Sequence, residues 1–471
     1  MNFKIKEEAI MSSETVAVAP SAGMRAGIRM LLALTGPVLL TQYASIALGV
    51  ADTVMASRLG TESLAGVALG TGVWFPVQAF LIGLMYSVLI AMSHLTGAQK
   101  FKEIFSTLQQ GIWLALVVGG AFACGIYWLS YNMASFGFST SLAEVSGSYL
   151  RGVAWGIPFY SVFFALRFFC EGQKIVRPVT CIALIMVLTN VFLNWVFMFG
   201  KLGFPAFGAF GCGLATSVCM LLSMVLLLGF VIRSSRFKEM HSFFVFSPPA
   251  KSMLKLAGVG TAVGINFLSE YLVMAFIMVM AGNIGSIAAA GHQVAVNFCM
   301  VLLTTSVSLS IATSICSGNL RGTGDRQLEQ QTVFAAIVLS LGAGLCMALL
   351  MGISFSRTAA LYTTDPAVRE QAVAIAKVAV LFLAANSLQL CLAGALRGIR
   401  DVGYVMAVNS GTQWLFGMPF GYVLAGTSLP SWLPFVSPEL GIIGWWVGFT
   451  CGTLLATLLL ALRARARFFR T

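Results

Sequence analysis

Apolar residues run along this chain in long, unbroken stretches, separated by short polar breaks that gather Lys, Arg, Gly and Pro. Each stretch is about 20 residues or more, enough for an α-helix to cross a hydrocarbon layer of about 30 Å. Membrane β-strands would be about half that length and would alternate polar with apolar positions. The pattern predicts twelve helices, near 30–55, 64–95, 106–131, 147–170, 178–199, 208–232, 253–281, 285–317, 330–353, 367–396, 403–426 and 440–462. Composition fits this reading: 58% of the residues are hydrophobic and 9% charged, where a soluble domain carries roughly 25% charged residues. The expected fold is therefore an all-α, multi-pass membrane protein.

The net charge of +12 raises nucleic acid as a partner, but the basic residues follow the membrane instead. With both termini cytoplasmic, twenty-two of the twenty-eight Lys and Arg residues fall on inner segments, as the positive-inside rule requires. The expected location is a cell inner membrane, with the lipid bilayer as partner and nucleic acid unnecessary. Residues 1–29 read as a cytoplasmic tail without a signal-peptide core, and residues 464–471 as a basic tail. The ten cysteines all lie in or beside apolar runs without a CxxC pair, so they read as small hydrophobes. GNLRGTGD at Gly318 lacks the GK[ST] ending of a phosphate loop, and HExxH and GxSxG are missing. Neither an ATP site, an enzyme nor a resident cofactor is expected.

The chain also repeats itself. MASRLGTESLAGVALG from Met55 aligns with MAGNIGSIAAAGHQVA from Met280 without a gap, superposing Gly60 on Gly285 and Gly66 on Gly291. The same register carries HLTG at His94 onto NLRG at Asn319, and ALRFFCEG at Ala165 pairs with ALRGIRDV at Ala395 at an offset of 230 in place of 225. These matches, in order along the chain, indicate duplication. Each half then holds six helices and enters the membrane in the same orientation, a parallel repeat whose substrate path lies between or within the lobes. The expected division is an N-lobe over 30–232, a linker over 233–252 containing Pro248 and Pro249, and a C-lobe over 253–463.

Fourteen of the sixteen acids belong to tails, loops or helix ends; Asp52 and Glu270 remain inside apolar runs. A carboxylate in hydrocarbon costs at least roughly 2.5–3.5 kcal/mol, so it normally faces a bundle interior. Thr41, Ser45, Gly49 and Asp52 form one polar stripe, and Ala262, Asn266, Ser269 and Glu270 form its counterpart. Each acid could exchange protons or, joined by neutral oxygens, hold a hard cation such as Na⁺. Asn190 and Asn194, one helical turn apart, and Thr216 on the next helix are candidate partners, although interhelical hydrogen bonding alone would explain them. His292 and Gln293 could relay protons or serve as structural donors. Tyr43 on the first helix is a candidate substrate contact. Arg167 and Arg397, at matching helix ends, read as anchors of loops or helix C-termini.

At VADTVMA, GHQVAVNF, LNWVFMFGKLG, GCGLATS and GALRGIRD, the sequence resembles the multidrug and toxic compound extrusion (MATE) family, near its NorM-like branch, over residues 30 to 462. The resemblance implies a V-shaped, twelve-helix secondary antiporter that exports small-molecule organic cations and lipophilic drugs in exchange for Na⁺ or H⁺, as a monomer. Asp52 then matches a first-helix acid that binds the coupling ion with residues matching Asn190, Asn194 and Thr216, and Glu270 matches the seventh-helix acid. Asn386 stands where several NorM-like proteins carry Asp; an amide can ligate a cation but releases no proton, which shifts weight to Asp52. The alternative on the same scaffold is a flippase for lipid-linked precursors, or a metabolite exporter. An anionic cargo would call for cations along the cavity, and no Lys or Arg lies near the middle of an expected helix.

Overall fold

A computed structural model describes residues 20–234, 237, 248, 251–426 and 440–470. Among them there is no strand. Six membrane helices form the first half: α1 (Pro20–Ser57), α2 (Thr61–Gly97), α3 (Phe101–Tyr131), α4 (Thr140–Ala154 continued by Ile157–Gly172), α5 (Arg177–Phe199) and α6 (Gly208–Arg233). The second half holds α7 (Lys251–Ile284), α8 (Ser286–Thr323), α9 (Arg326–Tyr362), α10 (Pro366–Gly398), α11 (402–424) and α12 (Ile442–Ala464). Large apolar side chains such as Leu188, Leu361 and Leu415 point outwards and are exposed, the arrangement hydrocarbon imposes on a bundle whose polar groups turn inwards.

Several elements differ from the sequence expectation for identifiable reasons. The fourth helix is bent by 48° between Thr140–Ala154 and Ile157–Gly172, where Pro158 lacks an N–H and its ring crowds the preceding turn. Helix α11 is interrupted by a π-helical segment, Thr412–Gly417, a wide turn that often accompanies functional sites. The tails shorten too: α1 already begins at Pro20, and the basic residues after Ala464 continue in a π-helical segment, Arg465–Phe469. Residues 1–19 of the expected N-terminal tail lie outside the described residues. So does most of the expected linker 233–252; of its middle, Phe237 packs at a tilt against Phe169 with ring centroids 5.3 Å apart, and the Pro248 carbonyl accepts from Gln110.

Gly60 and Gly285, aligned by the repeat, occupy the same place in the two lobes: each precedes the second helix of its lobe, at φ 115° and 151°. Only glycine reaches that backbone region without strain. The other repeat motifs meet each other. A side chain on Gly97 would strike the backbone of Asn319, and one on Gly322 would strike that of His94. Beside them, Lys174 Nζ of the first lobe donates to Asn319 Oδ1 of the second at 2.7 Å. The seam continues along α2 and α7, where Gly83 faces Gly264 and Gly260 faces Leu84, as far as Phe75 edge-on to Tyr271. Beyond that point Gly49, Gly60, Gly72, Gly282 and Gly285 have open space around them. The tightest approaches between the lobes thus lie on the side that carries the chain termini.

The seam tolerates no side chain at its centre. Gly83→Val would drive a Cβ into the backbone of Val263 and Gly264 and is expected to destabilise the protein by about 1–3 kcal/mol. Gly72→Val, in open space, should stay within about 0.5 kcal/mol of the parent. Thermal unfolding of both variants in detergent checks the contrast.

Candidate functional site

In the N-lobe, α1 brings Asp52 against α5 and α6. The carboxylate is 8% exposed, and Asn190 and Asn194 beside it are 1% and 0% exposed. Asn194 Nδ2 donates to Asp52 Oδ1 at 2.6 Å and to Asn190 Oδ1 at 3.1 Å. Thr216 Oγ1 donates to Asp52 Oδ2 at 3.4 Å. The one-turn spacing of the two asparagines is what lets one amide span both acceptors. One turn cannot satisfy everything, and Asn194 Oδ1 is buried without a hydrogen-bond partner. A buried acceptor left unpaired costs about 1–3 kcal/mol. Here it sits beside a carboxylate to which no described ion pair brings a cation. Two carboxylate oxygens, two amide oxygens and a hydroxyl make an oxygen-only donor set of the kind hard cations prefer. Within the expected stripe Thr41 is buried with Asp52 and bonds Thr180 of α5, whereas Ser45 is exposed.

The C-lobe network is organised differently. Glu270, partly buried on α7, accepts at Oε1 from Asn266 at 2.6 Å and from Asn409 of α11 at 3.4 Å. Asn266 Oδ1 in turn accepts from Asn409 at 3.2 Å and from Arg397 Nη2 of α10 at 3.1 Å. Gln389 Nε2 donates to Asn409 Oδ1, and Asn386 Nδ2 donates to Gln389 Oε1. Asn386 therefore joins through two intermediaries and does not touch Glu270. The π-helical segment sets Trp414 so that its indole N–H donates to Ser269 Oγ at 2.9 Å.

The remaining candidates lie elsewhere. His292 is 2% exposed, and its Nδ1 accepts from the Trp446 indole at 3.1 Å, so in this bond it is an acceptor and not the expected donor; no hydrogen bond joins it to Glu270 among the described residues. Gln293 is exposed and donates to Asn297 one turn on. Tyr43 is exposed and its hydroxyl donates across the lobes to the Val301 carbonyl at 3.4 Å; Asp52 lies more than two turns further along the same helix. Arg167 and Arg397 are both buried, so neither reaches out to a loop; Arg397 does sit in the last turn of its helix, as expected. Arg167 bonds Glu171 at 2.7 Å and Gln42 at 3.2 Å. Asn409 and Gln389 are absent from the sequence expectation because a neutral amide within an apolar run is a weaker signal than a carboxylate there.

The MatE family profile matches this chain twice, over residues 37–196 and 262–423. The multidrug resistance protein MdtK of Yersinia pseudotuberculosis is 30% identical over 439 residues, 93% of this chain and 95% of that protein. The multidrug resistance protein NorM of Aliivibrio fischeri is 29% identical over 92% of this chain and 93% of its own. Among solved structures, the eukaryotic MATE transporter AtDTX14 superposes with a TM-score of 0.82 at 18% identity, covering 95% of this chain and all of that one. An outward-facing multidrug resistance MATE transporter of the MOP superfamily gives the same TM-score and identity over 94% of this chain and 96% of its own. Two copies of the family pattern in one chain, twelve helices in two lobes and near full-length relatives agree: the chain belongs to the MatE family.

Proposed function

We propose that this protein is a secondary active efflux antiporter that exports small organic cations and lipophilic drugs in exchange for inward-moving Na⁺ or H⁺, with Asp52 as the coupling residue. The observation that carries this reading is a buried carboxylate without a counter-cation, set among neutral oxygens of which Asn194 Oδ1 has no partner. Such a site holds a standing negative charge in a region of low polarity. A proton or a Na⁺ ion cancels that charge, and a cationic substrate does the same, so the two compete for one field. The relatives named as multidrug resistance proteins supply the direction and the broad substrate class. The distribution of Lys and Arg supports an inner-membrane location with both termini cytoplasmic.

Alternating access follows from the division into lobes. With the termini cytoplasmic, the glycine seam closes the inner side, which directs release to the opposite side of the membrane. Ion binding at Asp52 removes the attraction that retains a cationic cargo. The reverse step needs the seam to part, which is feasible because its centre is small residues and a few polar contacts such as Lys174 to Asn319.

Reconstituted vesicles loaded with a fluorescent organic cation test this reading when Na⁺ and pH gradients are imposed separately. One gradient is expected to drive efflux in the parent protein, and Asp52→Asn to abolish the driven component while the protein remains folded. Gradient-independent efflux, or full efflux in Asp52→Asn, would refute it. Asn194→Leu, which removes a hydrogen bond to a charged group worth about 1.5–3 kcal/mol, is expected to shift the half-saturating ion concentration by roughly ten- to a hundredfold. The same assay, run across ion concentrations, measures that shift.

A further inference from the structure

The two lobes carry an arginine at equivalent places, Arg167 and Arg397, each followed four residues later by an acid, Glu171 and Asp401. In the N-lobe the helix runs on to Gly172, so Glu171 remains one turn from Arg167 and binds it at 2.7 Å. In the C-lobe α10 stops at Gly398 and Arg400 takes the left-handed conformation, φ 67°. Asp401 is thereby carried past the helix end to Arg463 and Arg467 of the C-terminal segment, which bind it at 2.8 and 3.0 Å. Burial raises the Asp401 carboxyl, but these two guanidinium groups outweigh it and hold it below the usual carboxylate range, so its charge is committed to them.

Arg397 is left without the acid its repeat mate has. It is 3% exposed, its Nε has no hydrogen-bond partner, and it lies over the Phe267 ring at 5.1 Å. A guanidinium buried in this way requires a negative charge nearby. The acid that its hydrogen bonds lead to is Glu270, reached through a single amide: Arg397 Nη2 to Asn266 Oδ1, then Asn266 Nδ2 to Glu270 Oε1.

From this asymmetry we infer that Glu270 and Arg397 form an amide-bridged counter-ion pair, so that the C-lobe acid is neutralised from within and acts as a positioning residue, not as a second coupling-ion site. The inference deepens the antiporter reading and rests on it only for its transport consequence. Asp52 then bears the one uncompensated charge of the two lobe centres. Asn386, which replaces an acid expected from the family resemblance, fits a site that already balances. The bridge also touches the seam, since Phe267 meets Tyr86 of α2 at 6.0 Å and Tyr86 meets Phe168, under Arg167, at 5.3 Å.

A double-mutant cycle tests the pair. Thermal unfolding in detergent and binding of a fluorescent organic cation are measured for the full-length parent, Glu270→Gln, Arg397→Gln, the double variant and Arg397→Lys. Each neutralised single variant is expected to unfold at a lower temperature than the parent, and the double variant to recover at least about half of the loss, because no charge is then unpaired. Glu270→Gln, with a lone positive charge, should weaken cation binding about tenfold or more; the double variant should return to within about threefold of the parent, as should Arg397→Lys. A single variant that cannot be purified while the double variant can is the same result. Additive losses in stability, or a double variant that binds the cation as poorly as Glu270→Gln, would overturn the pair and make Glu270 a ligand in its own right. Because the stability cycle does not depend on transport, it separates failure of this pair from failure of the antiporter reading.

Discussion

Charge that cannot reach water governs this molecule. Within a bundle of apolar helices an ionised side chain must find a partner, keep a path to solvent or be relieved of its charge. Arg167 and Glu171 pair with each other inside one helix. Arg397 finds its balance on another helix, and Asp52 is surrounded by dipoles that orient around it without cancelling it. The placement of α5 and α6 against α1 makes sense in those terms, since it brings two amides and a hydroxyl to one carboxylate. A bundle that left Asp52 facing lipid would be less stable by several kcal/mol.

The seam between the lobes follows a complementary rule. Small residues let helix backbones approach closely, so the contact is built from many weak dispersion terms and few strong ones. That type of contact can be exchanged for another of similar energy, as alternating access requires, whereas a seam of buried ion pairs would resist opening. The repeat motifs at Gly97 and Gly322 meet across the pseudo-symmetric junction, each pressed on the partner motif. Duplication thus gave both halves of one closure from a single ancestral pattern. The aromatic contacts from Phe168 through Tyr86 to Phe267 cross the same junction, so the surroundings of the two arginines are not mechanically independent.

Most of the architecture is legible in the sequence. The length and uniformity of the apolar runs dictated membrane helices, because backbone polar groups in hydrocarbon must bond within their own segment. The register of Gly60 with Gly285 exposed the duplication, since only glycine adopts the backbone those turns need. Asp52 stood out as a lone acid in an apolar run, and Asn190 and Asn194 by their one-turn spacing. The bend at Pro158 was foreseeable in principle, although its consequence for the length of α4 was not.

Other features depended on where chain-distant groups came together. Arg167 and Arg397 look alike in sequence, and so do Glu171 and Asp401; what separates them is that α10 ends one turn earlier and that α12 and the π-helical segment after it each deliver an arginine to Asp401. The roles of Asn409 and Gln389 rest on an interrupted α11 that no periodicity marks. His292 became a partner of Trp446 and not of an acid for the same reason. Local pattern determines which segments enter the membrane, because that decision is made residue by residue against hydrocarbon. Which charge meets which partner is decided by distances of a few ångströms between helices, and electrostatic energy changes steeply over those distances.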